Sequence, residues 1–137
     1  MTDNIKEQVE DKIIDLIGLN GGGRLVVFKP ENSAKDLVVE KRGDYKKRVI
    51  SLRVFCEELA ESNNSGNNFL KLADARKASP EENLYFVFVH FDFIKRDISD
   101  RFWVIPSVIF QELDEKSSLS RFLMNKKGFV RFLIETL

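Results

Sequence analysis

The sequence predicts one α/β or α+β domain, with helices flanking a central mixed β-sheet. Three observations carry that expectation. Residues 3–17 place Ile5, Val9, Ile13, Leu16 and Ile17 at helical spacing, an apolar stripe on a charged helix. Residues 36–56 read as a β-hairpin, two alternating runs around a charged turn at Gly43-Asp44. Residues 84–93, LYFVFVHFDF, put aromatic and β-branched side chains on both faces, as in a strand covered on two sides.

Composition suits that class. At 137 residues the chain can bury a real core as a single domain spanning 1–137. Acids and bases balance at 22 each, so no global field draws it to nucleic acid or membrane, and any basic patch is local. One cysteine, Cys56, excludes an internal disulfide and a cysteine-based zinc site; at an apolar strand position it reads as a buried, inert thiol. No apolar run is long enough for a membrane helix, and the start MTDNIKEQ lacks a signal pattern. A cytoplasmic protein is the expectation.

The elements follow in order. Thr2 or Asp3 can cap the first helix, and Glu10 lies at the edge of its apolar stripe. Asn20-Gly21-Gly22-Gly23 ends it. These glycines follow a helix and precede a strand, which is the wrong order for a phosphate-binding loop. Residues 24–29 form a short strand, and Pro30-Glu31-Asn32-Ser33 a turn. In the hairpin, Ile50, Leu52, Val54 and Cys56 share one face, while Ser51, Arg53 and Phe55 share the other. Val38 is expected opposite Ser51, with Asp36 and Arg53 on one face. Residues 62–68 read as a loop and 69–75 as a short helix. His90 falls on the Phe86/Phe88 face and reads as a hydrogen-bonded core residue. Residues 95–100 read as a charged turn and 101–105 as the next strand. Ser107 is expected to cap a helix through Leu113. Residues 119–123 and 129–137 read as C-terminal helices broken at Gly128.

The element order, Asp36 at the opening of a strand, and Ser51-Leu52-Arg53 fifteen residues later resemble the PD-(D/E)XK nuclease-like superfamily, the restriction-endonuclease-like fold. In that family a helical acid, a hairpin aspartate and a Glu-x-Lys or Gln-x-Lys on the next strand bind a divalent metal, commonly magnesium. The metal activates water and steadies the leaving phosphate, and the lysine positions the nucleophile. The resemblance spans roughly residues 5–110. It implies Asp36 as the hairpin aspartate, Glu10 as the helical acid with Glu7 second, and Ser51 and Arg53 at the Glu-x-Lys positions. Two departures weigh on the chemistry. Ser51 offers a neutral hydroxyl where hard cations prefer a carboxylate. Arg53 keeps a positive charge but does not release its proton. Glu40, on the strand face of Asp36, is the substitute metal ligand.

The resemblance therefore implies a nuclease-like domain with catalysis lost, and magnesium as the cofactor only if cutting survives. Lys41, Arg42, Lys46, Lys47 and Arg48 around the hairpin turn are the candidate nucleic-acid contacts, interrupted by Glu40 and Asp44. The structural alternative pairs Arg53 with Asp36 or Glu40 across the hairpin. A second functional reading is a protein-interaction or homodimerisation module, suggested by twelve Phe and one Trp.

Overall fold

A computed structural model describes residues 2–31, 35–43, 48–58, 78–113 and 119–137, with residues 2–4 and 57–58 described by backbone alone. The described residues form three helices and one six-stranded sheet. The elements are α1 (Thr2–Asn20), β1 (Leu25–Phe28), β2 (Leu37–Lys41), β3 (Val49–Glu58), β4 (Leu84–Asp92), β5 (Asp97–Pro106), α2 (Ser107–Phe110), a 3-10 turn (Ser120–Phe122), β6 (Leu123–Met124) and α3 (Lys126–Thr136).

The strands lie in chain order across the sheet, β1 to β6. Neighbours are antiparallel except β3 and β4, which run parallel from Ser51 beside Leu84 to Glu58 beside Phe91. The sheet is therefore mixed, and β4 lies in its interior, as its two-sided apolar sequence predicts. Val38 lies opposite Ser51, the expected hairpin register.

Alternation divides the core into two layers. Ile50, Leu52, Val54, Val87 and Val89 point to the face covered by α1 and α3, where Val9, Ile13, Ile17, Phe129 and Leu133 meet them. Phe55, Phe86, Phe88, Trp103 and Ile105 point to the other face and pack with Phe110, Leu113 and Phe122. Burial at ~25 cal/mol per Å² of apolar surface makes these two layers the main source of cohesion. Ring contacts order the second layer: Phe55 stacks on Phe88 at 5.1 Å, and Phe86 meets Phe110 edge-on at 5.2 Å.

The first helix runs slightly longer than its apolar stripe. The Gly21 amide donates to the Ile17 carbonyl at 2.8 Å. A Cβ on Gly21 would sit 2.6 Å from that carbonyl oxygen, so the helix end admits no larger residue without backbone movement.

Four expectations need correction. The turn between β4 and β5 covers only 93–96, and Asp97–Asp100 already belong to β5. Asp92 makes that tight turn possible, because its carboxylate accepts the Ile94 and Lys95 amides. Ser107 does not cap α2, whose N-cap is Pro106. Its buried hydroxyl instead accepts the Glu81 amide and donates to the Glu81 carbonyl, fastening the approach to β4 onto the end of β5. Gly128 does not break the C-terminal helix but lies in the first turn of α3. There its amide donates to the side chain of the N-cap Asn125 at 2.7 Å. The 119–123 segment is a 3-10 turn leading into β6 rather than an α-helix. The predicted loop at 62–68 and helix at 69–75 lie outside the described residues.

Candidate functional site

Asp36 occupies a bend one residue before β2, so strand alternation does not fix its side chain. Its carboxylate turns back to β3 and accepts the Val54 amide at 2.6 Å. Its other oxygen pairs with Lys6 of α1 at 3.0 Å. The carboxylate is thus held on the helix-covered side of the sheet. The amide bond ties the start of β2 to β3, and the ion pair ties α1 to the same point.

Glu10, one turn along α1 from Lys6, joins this group. Its side chain is only 12% exposed and lies 3.7 Å from Lys29, which also holds Asp11 at 2.9 Å. Burial raises the Glu10 pKa above its ordinary value, and the nearby Asp36 charge adds to the rise; Lys6 and Lys29 oppose it. Cys56 borders the same group. Burial pushes its thiol up, with Lys6 pulling the other way, so the thiolate is scarce at neutral pH. The helical acid and the hairpin aspartate of the resemblance do therefore come together, with Lys6 and Lys29 as cations between and beside them. Neither lysine was singled out from the sequence. The signal for Lys6 was its spacing of one helical turn from Glu10.

Ser51 and Arg53 do not join them. Both share the face of Phe55, and the Arg53 guanidinium lies 5.8 Å from the Phe55 ring centroid. Ser51 is buried, and its amide donates to the Asn83 carbonyl at 2.9 Å. The expectation that Asp36 and Arg53 share a face is therefore overturned. The strand puts Arg53 on the aromatic side, whereas the Val54 amide draws the Asp36 carboxylate to the helix side. Glu40 is also apart. It alternates with buried Val39 of the helix-side core, and four residues of strand place it roughly 13 Å from Asp36. Among the described residues, no group of three or more His, Cys, Asp or Glu side chains is arranged to hold a metal ion.

The described basic residues of the hairpin gather at one end of the sheet. Lys41, Arg42 and Arg48 are exposed there, while Lys46 and Lys47 lie outside the described residues. Pairing adds Arg24, which lies outside the basic run around the hairpin turn. Lys41 stands opposite Leu25, the Arg42 amide donates to the Arg24 carbonyl at 2.7 Å, and Arg42 Nε donates to the Gly23 carbonyl at 2.9 Å. Gly22 and Gly23 adopt φ of 61° and 75°, which lets the chain turn beneath Arg42. Arg24 is distant in sequence from Lys41, Arg42 and Arg48, and only the β1–β2 register makes them one exposed cationic edge.

His90 lies in the aromatic layer as expected, edge-on to Trp103 with ring centroids 5.9 Å apart. Burial lowers its pKa, and the Arg101 charge lowers it further. Most of the described aromatics fill the two core layers; Phe28 and Phe93 are the exposed phenylalanines among them.

No family model, curated protein or solved structure matches this chain.

Proposed function

We propose that this chain is a nucleic-acid-associating domain of nuclease-like build that does not cut. The observation that carries the reading is the joined edge of Arg24, Lys41, Arg42 and Arg48, held in place by the Arg42 hydrogen bonds to the Gly23–Arg24 backbone. Such an edge meets a phosphate backbone through charge and needs no sequence readout. The order of helix, hairpin and mixed sheet supports the nuclease-like part. The arrangement of the site supports the non-catalytic part. Asp36 is committed to Val54 and Lys6, while Ser51 and Arg53 face the opposite side. A metal held by Asp36 and Glu10 would have no partner at position 51, and misplacement forfeits most of the benefit of positioning. A cytoplasmic location belongs to this reading; among the described residues, no helix is long and apolar enough to cross a membrane.

The test is fluorescence anisotropy with labelled single- and double-stranded DNA and RNA between 50 and 200 mM salt. Each lost phosphate contact lowers the slope of log K against log salt by about 0.7 to 0.9. Arg24→Ala with Arg42→Ala is expected to flatten that slope by between one and two. Binding that is absent at the lowest salt, or indifferent to both substitutions, would overturn the reading. In a parallel cleavage assay with magnesium and manganese, neither the wild type nor Ser51→Glu is expected to cut, because a carboxylate at 51 faces away from Asp36. Cleavage abolished by Asp36→Ala would overturn the non-catalytic part.

A second reading, self-association, has one observation in its favour. The β4–β5 turn presents Ile94 at 95% exposure and Phe93 at 43%. A sizing measurement that shows a dimer, converted to monomer by Ile94→Asp, would establish it.

A further inference from the structure

Beyond the cationic edge, a cleft of about 530 Å³ opens between the end of α1, the start of β1 and the outer side of α3. Arg24 lines it from one side, and Lys127 and Arg131 from the other. Lys127 and Arg131 are one helical turn apart and so share a face of α3. Val130 and Ile134 line it with apolar surface, and Glu135 is the one acid among the described residues there. The Arg24 side is fixed by its backbone. Its amide donates to the Gly21 carbonyl at 3.0 Å, and its carbonyl receives the Arg42 amide. The α3 side is fixed by the Asn125 cap and by the Lys126 amide, which donates to Asp100 at 2.7 Å. Three cations from two elements far apart in sequence thus border one concavity with an apolar strip. A row of solvated helix charges would not include Arg24.

We infer that this cleft binds the phosphate of a phosphate ester. The cations hold the phosphate oxygens, and Val130 and Ile134 meet the organic part. Charge-assisted bonds from guanidinium and ammonium groups suit a phosphate dianion, and the apolar strip favours an ester over the inorganic ion. The group comes from a nucleic-acid strand or from a free nucleotide. The strand is the expected source, and in that respect the inference rests on the reading proposed above.

The experiment is an amide-resolved NMR titration of the full chain with AMP, adenosine, inorganic phosphate and a short 5′-phosphorylated single-stranded DNA. AMP is expected to shift the amides of Arg24 and of residues 127–135, with phosphate acting more weakly and adenosine not at all. Lys127→Ala and Arg131→Ala are each expected to raise the AMP Kd roughly three- to tenfold, a range that allows for the exposure of these cations. Arg131→Lys is expected to recover part of the loss, and Lys41→Ala and Arg48→Ala to leave AMP binding within about twofold. All these positions are exposed, so folding is retained and the unperturbed remainder of the spectrum verifies it. If AMP shifts the cleft while the DNA fails to bind, the cleft inference stands with a free nucleotide as source, and the nucleic-acid reading falls. If the DNA binds and shifts the hairpin amides alone, the cleft inference is overturned and the nucleic-acid reading stands. Silence at the cleft toward both ligands, or equal shifts with adenosine, overturns the inference as well.

Discussion

Asp36 shows how one side chain can hold two elements at once. It accepts the Val54 amide and pairs with Lys6, so its loss leaves one partly buried donor and one ammonium without their partner. Asp36→Ala is expected to destabilise the fold by about 1–3 kcal/mol. Asp36→Asn keeps an acceptor for Val54 and loses only the ion pair, so it should cost less. Urea denaturation checks both, as a fall in midpoint at unchanged slope. Equal stability of wild type and Asp36→Ala would refute the structural role. The carboxylate was legible in the sequence as a residue of note, but its face was not. Alternation holds only inside a strand, and Asp36 stands just before one. Its direction is set by a backbone amide eighteen residues away.

Two buried titrating groups give stability opposite dependences on pH. The folded-state pKa of Glu10 is raised above 4.5, chiefly by burial, so the folded state binds the proton more tightly than the unfolded chain does. Its effect favours folding below 4.5 and declines as pH rises through the raised value. The pKa of His90 is lowered below 6.5, again chiefly by burial, so the unfolded chain binds that proton more tightly. Its effect leaves stability intact above 6.5 and erodes it as pH falls toward the lowered value. Glu10→Gln is therefore expected to raise the Tm at pH 7 and leave it unchanged near pH 4. Thermal melts at the two pH values measure this. A lower Tm at pH 7 would show that the Lys29 contact outweighs the cost of burying the charge.

At the scale of elements, periodic segments were the most legible. The stripe Ile5, Val9, Ile13, Ile17 is the buried side of α1, and the run at 84–93 is β4 to within a residue. Elements whose ends rest on polar side chains were less so. The start of β5, Asp97-Ile98-Ser99-Asp100, resembles a turn in composition. It is a strand because it pairs back on Phe91 and Asp92. Gly128 suggests a break, yet α3 begins at Lys126 because Asn125 supplies a side-chain acceptor to the Gly128 amide. Asn125→Ala is expected to cost about 1 kcal/mol, whereas Asn125→Ser or Asn125→Asp should be nearly neutral. Chemical denaturation distinguishes the two outcomes, and an undisturbed Asn125→Ala variant would show that the cap carries no weight.

For the whole molecule, the mixed sheet and helix cover were legible, because each strand carries its own face pattern. Which strands would be neighbours was legible only for the β2–β3 hairpin. The cationic edge depends on β1 lying beside β2, and no local feature of residues 24 or 42 announces it. The separation of Asp36 from Arg53 belongs to this scale as well, since it turns on which layer each side of the sheet receives. The two layers also explain the excess of phenylalanine. A sheet apolar on both faces needs two sets of large side chains, and Phe86 and Phe88 serve one while Phe102 and Phe129 serve the other, stacked at 4.9 Å.

The parallel contact between β3 and β4 is also a seam. On one side, β1–β3 pair antiparallel and carry α1; on the other, β4–β6 pair antiparallel and carry α3. The halves meet along eight residue pairs of β3 and β4, from Ser51 and Leu84 to Glu58 and Phe91, and where α1 packs on β5 and α3, and the chain between them can be cut without severing a described strand or helix. The two halves hide each other's apolar surface, so each should lack a stable fold alone, yet together they carry every strand and helix described. Fragments 1–66 and 67–137, made separately, are expected to be largely unfolded and to recover native circular dichroism when mixed. Contacts between residues distant in sequence form slowly, so closure of this seam should also limit the folding rate of the intact chain. Conservative truncations along it, such as Val54→Ala or Val87→Ala, should then slow folding more than they speed unfolding. Fragments that fold alone, or fail to associate, would show that the molecule is not divided in this way.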